Sequence, residues 1–283
     1  MASKIRQPSA GTKAGRCGFH IVAAAIGDQV ADMTDPLLLL LIALTFVLAG
    51  FVKGVVGLGM PTVAMGLLGL AMAPAQAAAL LVVPSLVTNL WQLFAGPRFG
   101  GLLRRLWPMM LAIGIGTWAG AGLLAGDGSG WAATALGVAL VLYALVGLAG
   151  PRLPVPRRAE PWLSPLIGAA TGLVTAATGV FVIPAVPYLQ ALGLEKEDLI
   201  QALGLSFTVS TIALAAGLAG HGAFPLATAG VSLLALAPAL AGMAAGQWLR
   251  LRVRPELFRR WFFLGLLALG LDLALRPLLS AVA

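Results

Sequence analysis

The chain has 283 residues, 60% of them hydrophobic and 10% charged, with a formal net charge of +8. Soluble domains carry about a quarter charged residues, so this composition excludes a soluble catalytic domain over most of the length and places the protein's work in a bilayer. The positive charge does not indicate nucleic acid, because the basic residues stand in short clusters beside apolar segments rather than among exposed aromatics.

Residues 1–35 hold Lys4, Arg6, Lys13 and Arg16, then a weak apolar run from Phe19 to Ile26 that ends at Asp28. The run is short for a signal-peptide core, and the stretch reads as a flexible N-terminal tail. Apolar segments follow at 36–53, 54–72, 75–96, 105–125, 130–149, 162–178, 179–193, 199–220, 225–249 and 257–276. A full crossing needs about 20 residues, so the expected fold is an all-α polytopic membrane protein of about 8–10 membrane segments, shortest beside 53–61 and 175–184.

The chain divides into a first transmembrane repeat, 36–150, a basic inter-repeat loop, 151–161, and a second repeat, 162–283. Ala49-Gly50-Phe51-Val52-Lys53, with Gly57 four residues on, matches Thr171-Gly172-Leu173-Val174-Thr175, with Gly179 four on. Each block leads to a proline, Pro61 or Pro184, and Gln76, Ser85 and Phe99 then align with Gln201, Ser210 and Phe224. Five segments per half place three arginine clusters on one side: Arg98, Arg104 and Arg105; Arg152, Arg157 and Arg158; Arg250, Arg252, Arg254, Arg259 and Arg260. Five is odd, so the halves are expected to be inverted in the membrane, with discontinuous first helices, as in secondary transporters. The acidic turn Glu195-Lys196-Glu197-Asp198 fits poorly on the arginine side, although acidic residues contribute little to orientation.

Lys53 is the only charged residue between Pro36 and Pro97, and it stands in a Gly-rich stretch read as a break in the apolar segment. An ammonium within a membrane segment is costly unless a cavity, a counter-ion or a bound anion offsets it, or the side chain snorkels to headgroups. Gly54, Gly57 and Gly59 permit unusual backbone geometry, and Pro61 suits the first turn of a new helix. A helix starting mid-membrane turns free N–H groups and the positive end of its dipole towards an anion. In the second half Thr175, Thr178 and Gly179 precede Pro184, and two such breaks facing each other would form a pocket for a small anion.

Ser85, Thr88, Asn89 and Gln92 share one helix face, and Ser206, Thr208, Ser210 and Thr211 lie on the corresponding helix. Polar residues in hydrocarbon must face protein or water. The expected substrate-binding set is therefore Lys53, Gly54, Gly57, Gly59, Pro61, Ser85, Asn89, Gln92, Thr175, Thr178, Gly179, Ser206 and Ser210. Gly114, Gly116, Gly120 and Gly122 suit tight helix packing, Asp272 and Arg276 a helical ion pair, and Trp107, Trp131, Trp162 and Trp261 interfacial anchors. Cys17 is the sole cysteine, His20 and His221 lack partners at ligand spacing, and the glycine run lacks a phosphate-loop ending. No enzyme, metal or cofactor signature is present. A small anionic substrate and membrane lipid are the expected partners, and small-residue faces serve internal packing and a homodimer equally well.

These features resemble the TauE/SafE family of sulfite and organosulfonate exporters. The likeness rests on Gly50-Phe51-Val52-Lys53-Gly54-Val55-Val56-Gly57-Leu58-Gly59-Met60-Pro61 in the first half. Thr171-Gly172-Leu173 and Gly179-Val180-Phe181-Val182-Ile183-Pro184 support it in the second, and it covers about residues 36–276. Ala176-Ala177-Thr178-Gly179-Val180 is poorer in glycine than the family's usual run. The resemblance implies a secondary permease exporting small sulfur-containing anions, such as sulfite, sulfoacetate or related sulfonates, at the bacterial inner membrane. A permease for carboxylates or other small anions would share such a site, and a non-transporting accessory protein would have a packed centre instead.

Overall fold

The computed structural model describes residues 35–125, 131–150, 154–250, 252 and 255–282. Apart from Asp35, the tail expected over 1–35 lies outside the described residues. The chain divides into two compact units, Met1–Ile42 and Ala43–Ala283. The described part of the first is Asp35 and the opening turns of a helix that begins at Pro36; the remaining helices belong to the second.

Every described regular element is a helix: α1 Pro36–Val56, α2 Met60–Leu68, α3 Pro74–Phe94, α4 Phe99–Ala119, α5 Gly122–Ala125, α6 Trp131–Ala149, α7 Glu160–Thr178, α8 Ala185–Ala191, α9 Lys196–Gly220, α10 Leu226–Arg250 and α11 Pro255–Val282. Backbone groups in hydrocarbon must be satisfied within their own segment, and a sequence this apolar meets that condition as helix. Six helices among the described residues are long and apolar enough to cross a membrane: Pro36–Val56, Pro74–Phe94, Phe99–Leu124, Trp131–Ala149, Lys196–Gly220 and Thr228–Arg250. Their outer faces expose large apolar side chains, among them Leu111, Ile115, Leu142, Ile212 and Leu234, as lipid-facing helices should. Both interruptions anticipated near the glycines exist: α1 is separated from α2 by Gly57–Gly59, and α7 from α8 by Gly179–Pro184.

Small residues set the packing. A methyl group on Gly50 would lie 2.1 Å from the Ala239 carbonyl oxygen, and one on Gly242 would lie 2.0 Å from that of Val47, so α1 and α10 touch backbone to backbone. α4 and α7 do the same: methyls on Gly168 and Gly172 would meet the carbonyl oxygens of Met109 and Ile113 at 2.4 and 2.6 Å. Dispersion replaces hydrophobic driving force between lipid-embedded helices, so this close approach is what holds them. Gly116 and Gly120 pack as the sequence suggested, against Ala169 and Ala176; Gly122 approaches His221, and Gly114 only brushes Val209. α3 packs on α9 and α10, α9 also on α4, and α6 on α11. Pro84 lacks an N–H and so frees the Leu80 carbonyl of α3; Ser232 of α10 donates to it at 2.7 Å and accepts from Val83 N at 3.1 Å.

The described segments that carry the three arginine clusters meet at one end. Arg105 makes a two-pronged ion pair with Glu160 at 2.6 and 2.9 Å, Val155 N donates to Ala191 O at 3.0 Å, and Arg250 shares a cavity with Ala95 and Ile200. The acidic turn that fits poorly by charge alone belongs at this same end, because Asp198 pairs with Arg98 at 3.3 Å. Gln201 completes the join: its Nε2 donates to the carbonyls of Leu93 and Gly96 at 2.7 Å each, and its Oε1 accepts from Arg98 N at 3.0 Å. It thus satisfies the frayed end of α3, where helical carbonyls have no partner of their own. Gln201→Ala strands those groups and is expected to cost about 1–3 kcal/mol, read as a lowered unfolding midpoint in detergent; an unchanged midpoint removes the capping role. At the opposite end Gly122 approaches His221, and Gly217 touches Ala121. Asp272 and Arg276 pair at 2.7 Å on a half-exposed face, as their spacing predicts.

Candidate functional site

One correction concerns Lys53 itself. The sequence reading puts it in the break, but α1 continues through it, and Lys53 occupies the last helical turn. Gly54 does not unwind the chain; it lets α10 in, a methyl there lying 2.3 Å from the Met243 carbonyl oxygen. The break begins at Gly57 (φ 84°) and includes Gly59 (φ 106°), conformations that a side chain disfavours. Pro61 then sits in the first turn of α2, as expected.

Lys53 is 5% exposed. Its Nζ donates to Thr88 Oγ1 at 3.0 Å and to Asn89 Oδ1 in a close contact. Thr88 is in turn held by donating to the Pro84 carbonyl at 2.7 Å. Asn89 Nδ2 reaches Ser85 Oγ at 3.0 Å and Thr211 Oγ1 at 3.4 Å, so a buried polar ladder runs from Lys53 across α3 to α9. Gln92 Nε2 donates to the Gly57 carbonyl at 3.1 Å and fixes the break against α3. An ammonium has three protons to donate, and two are accounted for here, both by neutral oxygens. Among the described residues the ion pairs are Arg98–Asp198, Arg105–Glu160 and Arg276–Asp272; none includes Lys53.

Lys53, Gly54, Gly57, Thr88 and Gln92 line a cavity of about 150 Å³ whose mouth carries Trp91, Gln247 and Arg250. Gln247 and Arg250 were not among the expected site residues. The amide near the end of an otherwise apolar helix was the available signal, but its direction depends on how α10 crosses α1. Gln92 Oε1, Ser206 Oγ and Ser210 Oγ are buried without a hydrogen bond among the described residues and leave spare polar capacity on α3 and α9.

The second break does not join this cluster. Thr175 and Thr178 donate to the carbonyls of Thr171 and Val174 at 2.7 Å, within their own helix, and Thr178 Oγ1 accepts from Val180 N. Gly179 (φ 70°) packs against Met65 and Ala78. The sequence explains the inequality. Where the first half has Lys53, Thr88, Asn89 and Gln92, the aligned positions of the second hold Thr175, Ala213, Leu214 and Gly217. The second break therefore supplies no side chain to the Lys53 cluster, whose cation comes from the first half, while Thr211, Gln247 and Arg250 of the second half complete its surroundings.

A multi-helix bundle with a broken first helix, a lipid-facing apolar surface and a buried cation in a polar cavity has the makeup of a membrane permease for small anions. The family model for sulfite exporter TauE/SafE matches residues 42–273, and the chain belongs to that family. Its members are transporters rather than enzymes, and among the described residues no group of His, Cys, Asp or Glu could hold a metal ion. No curated protein and no solved structure matches the chain.

Proposed function

We propose that the protein is a secondary transporter exporting small sulfur-containing anions, sulfite or short organosulfonates such as sulfoacetate, across the bacterial inner membrane. The observation that carries this reading is Lys53, a buried ammonium met only by neutral oxygens and open to a small cavity. Burying an uncompensated charge costs several kcal/mol, and a bound anion offsets that cost where Thr88 and Asn89 only reduce it. The cavity of about 150 Å³ suits a compact oxyanion. A non-transporting accessory protein calls for a packed centre, which this cavity argues against.

Alternating access between two inverted repeats accounts for the packing. α4 lies on α7 as α10 lies on α1, α3 pairs with α9, and α6 pairs with α11. The closing turns of α1 approach the arginine end through the Gln92–Gly57 bond, whereas α7 departs from that end at Glu160. These contacts support a reading in which equivalent helices run in opposite directions, as an inverted repeat requires. With the arginine clusters on the cytoplasmic side, the mouth beside Arg250 faces the compartment from which an exporter loads.

Counterflow in proteoliposomes with radiolabelled sulfite, sulfoacetate and succinate tests the substrate class. Exchange of sulfite or sulfoacetate that succinate does not inhibit is the expected result. Succinate exchange without sulfur-anion flux would instead assign a carboxylate permease. Absence of all three fluxes from folded protein overturns the reading.

A further inference from the structure

A second cavity, of about 430 Å³, lies on the other side of the first break. Val56 and Leu58, which flank Gly57, line it, while Gly54 and Gly57 line the Lys53 cavity. The chain from Gly54 to Leu58 thus contributes to the walls of both. Most of the described residues lining it are apolar, Phe263 among them, and the polar ones are Arg259, Gln190 and Tyr143. Tyr143 is 2% exposed and its hydroxyl has no hydrogen-bond partner among the described residues. Its ring is fixed edge-on against Phe263 with centroids 5.2 Å apart, so the hydroxyl is held in place without being satisfied. Arg259 takes no part in any ion pair among the described residues. A partly buried guanidinium, an unsatisfied phenol and an amide around an apolar chamber are the donors an anionic headgroup needs, with room for a carbon body beside it.

We propose that the Arg259–Tyr143–Gln190 cavity is a second anion-binding site, selective for organic anions that carry a short apolar body, and that it adjoins the Lys53 site across the Gly57 break. This rests on the reading of the chain as a small-anion transporter, but it is carried by residues outside the Lys53 cluster. The division of labour follows from the linings: the Lys53 cavity offers a point charge among polar groups, whereas the larger one sets Arg259 among apolar side chains that an alkyl body can occupy. The phosphate of an anionic lipid offers similar charge chemistry, so the experiment must separate the two sources.

Equilibrium binding of radiolabelled propane-1-sulfonate and of sulfite is measured on the full chain, purified in neutral detergent. In Lys53→Met, which lacks the first site, propanesulfonate is expected to keep the component of its binding that depends on Arg259. Arg259→Gln should weaken that binding by about 100-fold, and Tyr143→Phe, which preserves shape, by about 10-fold. Arg259→Lys, which keeps the charge, should lose about 10-fold or less and serves as the folding control. Sulfite binding should show the reverse pattern, lost in Lys53→Met and retained in Arg259→Gln. If propanesulfonate binding is unchanged in Arg259→Gln and Tyr143→Phe, the second site is overturned while the Lys53 reading stands. If Lys53→Met retains sulfite binding and Arg259→Gln loses propanesulfonate, the Lys53 reading fails and the second site survives. If phosphatidylglycerol in mixed micelles binds in an Arg259-dependent way and propanesulfonate does not, the cavity is a lipid site and the proposal is overturned.

Discussion

Lys53→Met is expected to abolish anion flux, by at least about 100-fold, while leaving a folded protein. The substitution removes the buried cation and its charge-assisted contact with a bound anion, and that contact is of the order of 3 kcal/mol. Methionine keeps a similar unbranched length and removes the cost of burying an ammonium. The lost bonds leave Thr88 still donating to the Pro84 carbonyl and Asn89 still joined to Ser85 through its amide nitrogen. Asn89 Oδ1 is the one group left without its partner, so stability should fall by no more than about 1–2 kcal/mol. Lys53→Arg is expected to be impaired as well, because a planar five-donor fork does not fit where two neutral oxygens hold a point charge. Flux is measured by counterflow in proteoliposomes matched for protein content. Wild-type rates in Lys53→Met would remove the residue from the mechanism and leave the ladder a structural network.

The largest stability effect is expected at the crossing of α1 and α10. Gly242→Val places a branched side chain where a single methyl already lies 2.0 Å from the Val47 carbonyl oxygen. Gly50, Gly54 and Gly246 meet backbone at 2.1–2.3 Å, so the crossing cannot relax by turning one rotamer. The helices must separate by more than about 1 Å over their contact, which forfeits the packing that holds them and should cost at least about 3 kcal/mol. Transport should be lost too, since α1 carries Lys53 at the end of the same face. Gly230→Ala in the same helix is the control: its added methyl meets nothing within 4 Å, and it should be neutral or stabilising by up to about 1 kcal/mol. Thermal unfolding in detergent distinguishes them. Equal midpoints for Gly242→Val and Gly230→Ala would show that the close approach contributes nothing.

Much of the candidate site was legible before the fold was known because in hydrocarbon a polar residue must have a reason. Lys53, Ser85, Asn89 and Gln92 stand out against an apolar background, and their helical spacing puts the last three on one face. All are buried, and Lys53, Ser85 and Asn89 form one hydrogen-bonded cluster. Thr175 and Thr178 were equally conspicuous, but a threonine can satisfy its hydroxyl on its own helix, and both do so. Sequence position alone does not reveal that choice. The same holds for Gly54, which reads as a breaker beside Gly57 and Gly59. The difference lies in α10, which fills the space above Gly54 and holds it helical.

What the sequence determined by itself was the class: low charge and repeated long apolar segments require helices in a bilayer, and paired Gly and Pro motifs mark where two of those helices must end. It also carried the family, because the glycine break is a local feature written in consecutive residues. Tertiary structure decided what local pattern cannot encode. It put Asp198 beside Arg98 and thereby placed the acidic turn at the arginine end. It brought Arg250 and Gln247 to the mouth of the Lys53 cavity from the far end of the chain, and left the threonines of the second break bonded to their own helix. Those outcomes depend on which glycine faces meet and at what depth, and that is a property of helix pairs rather than of any one helix.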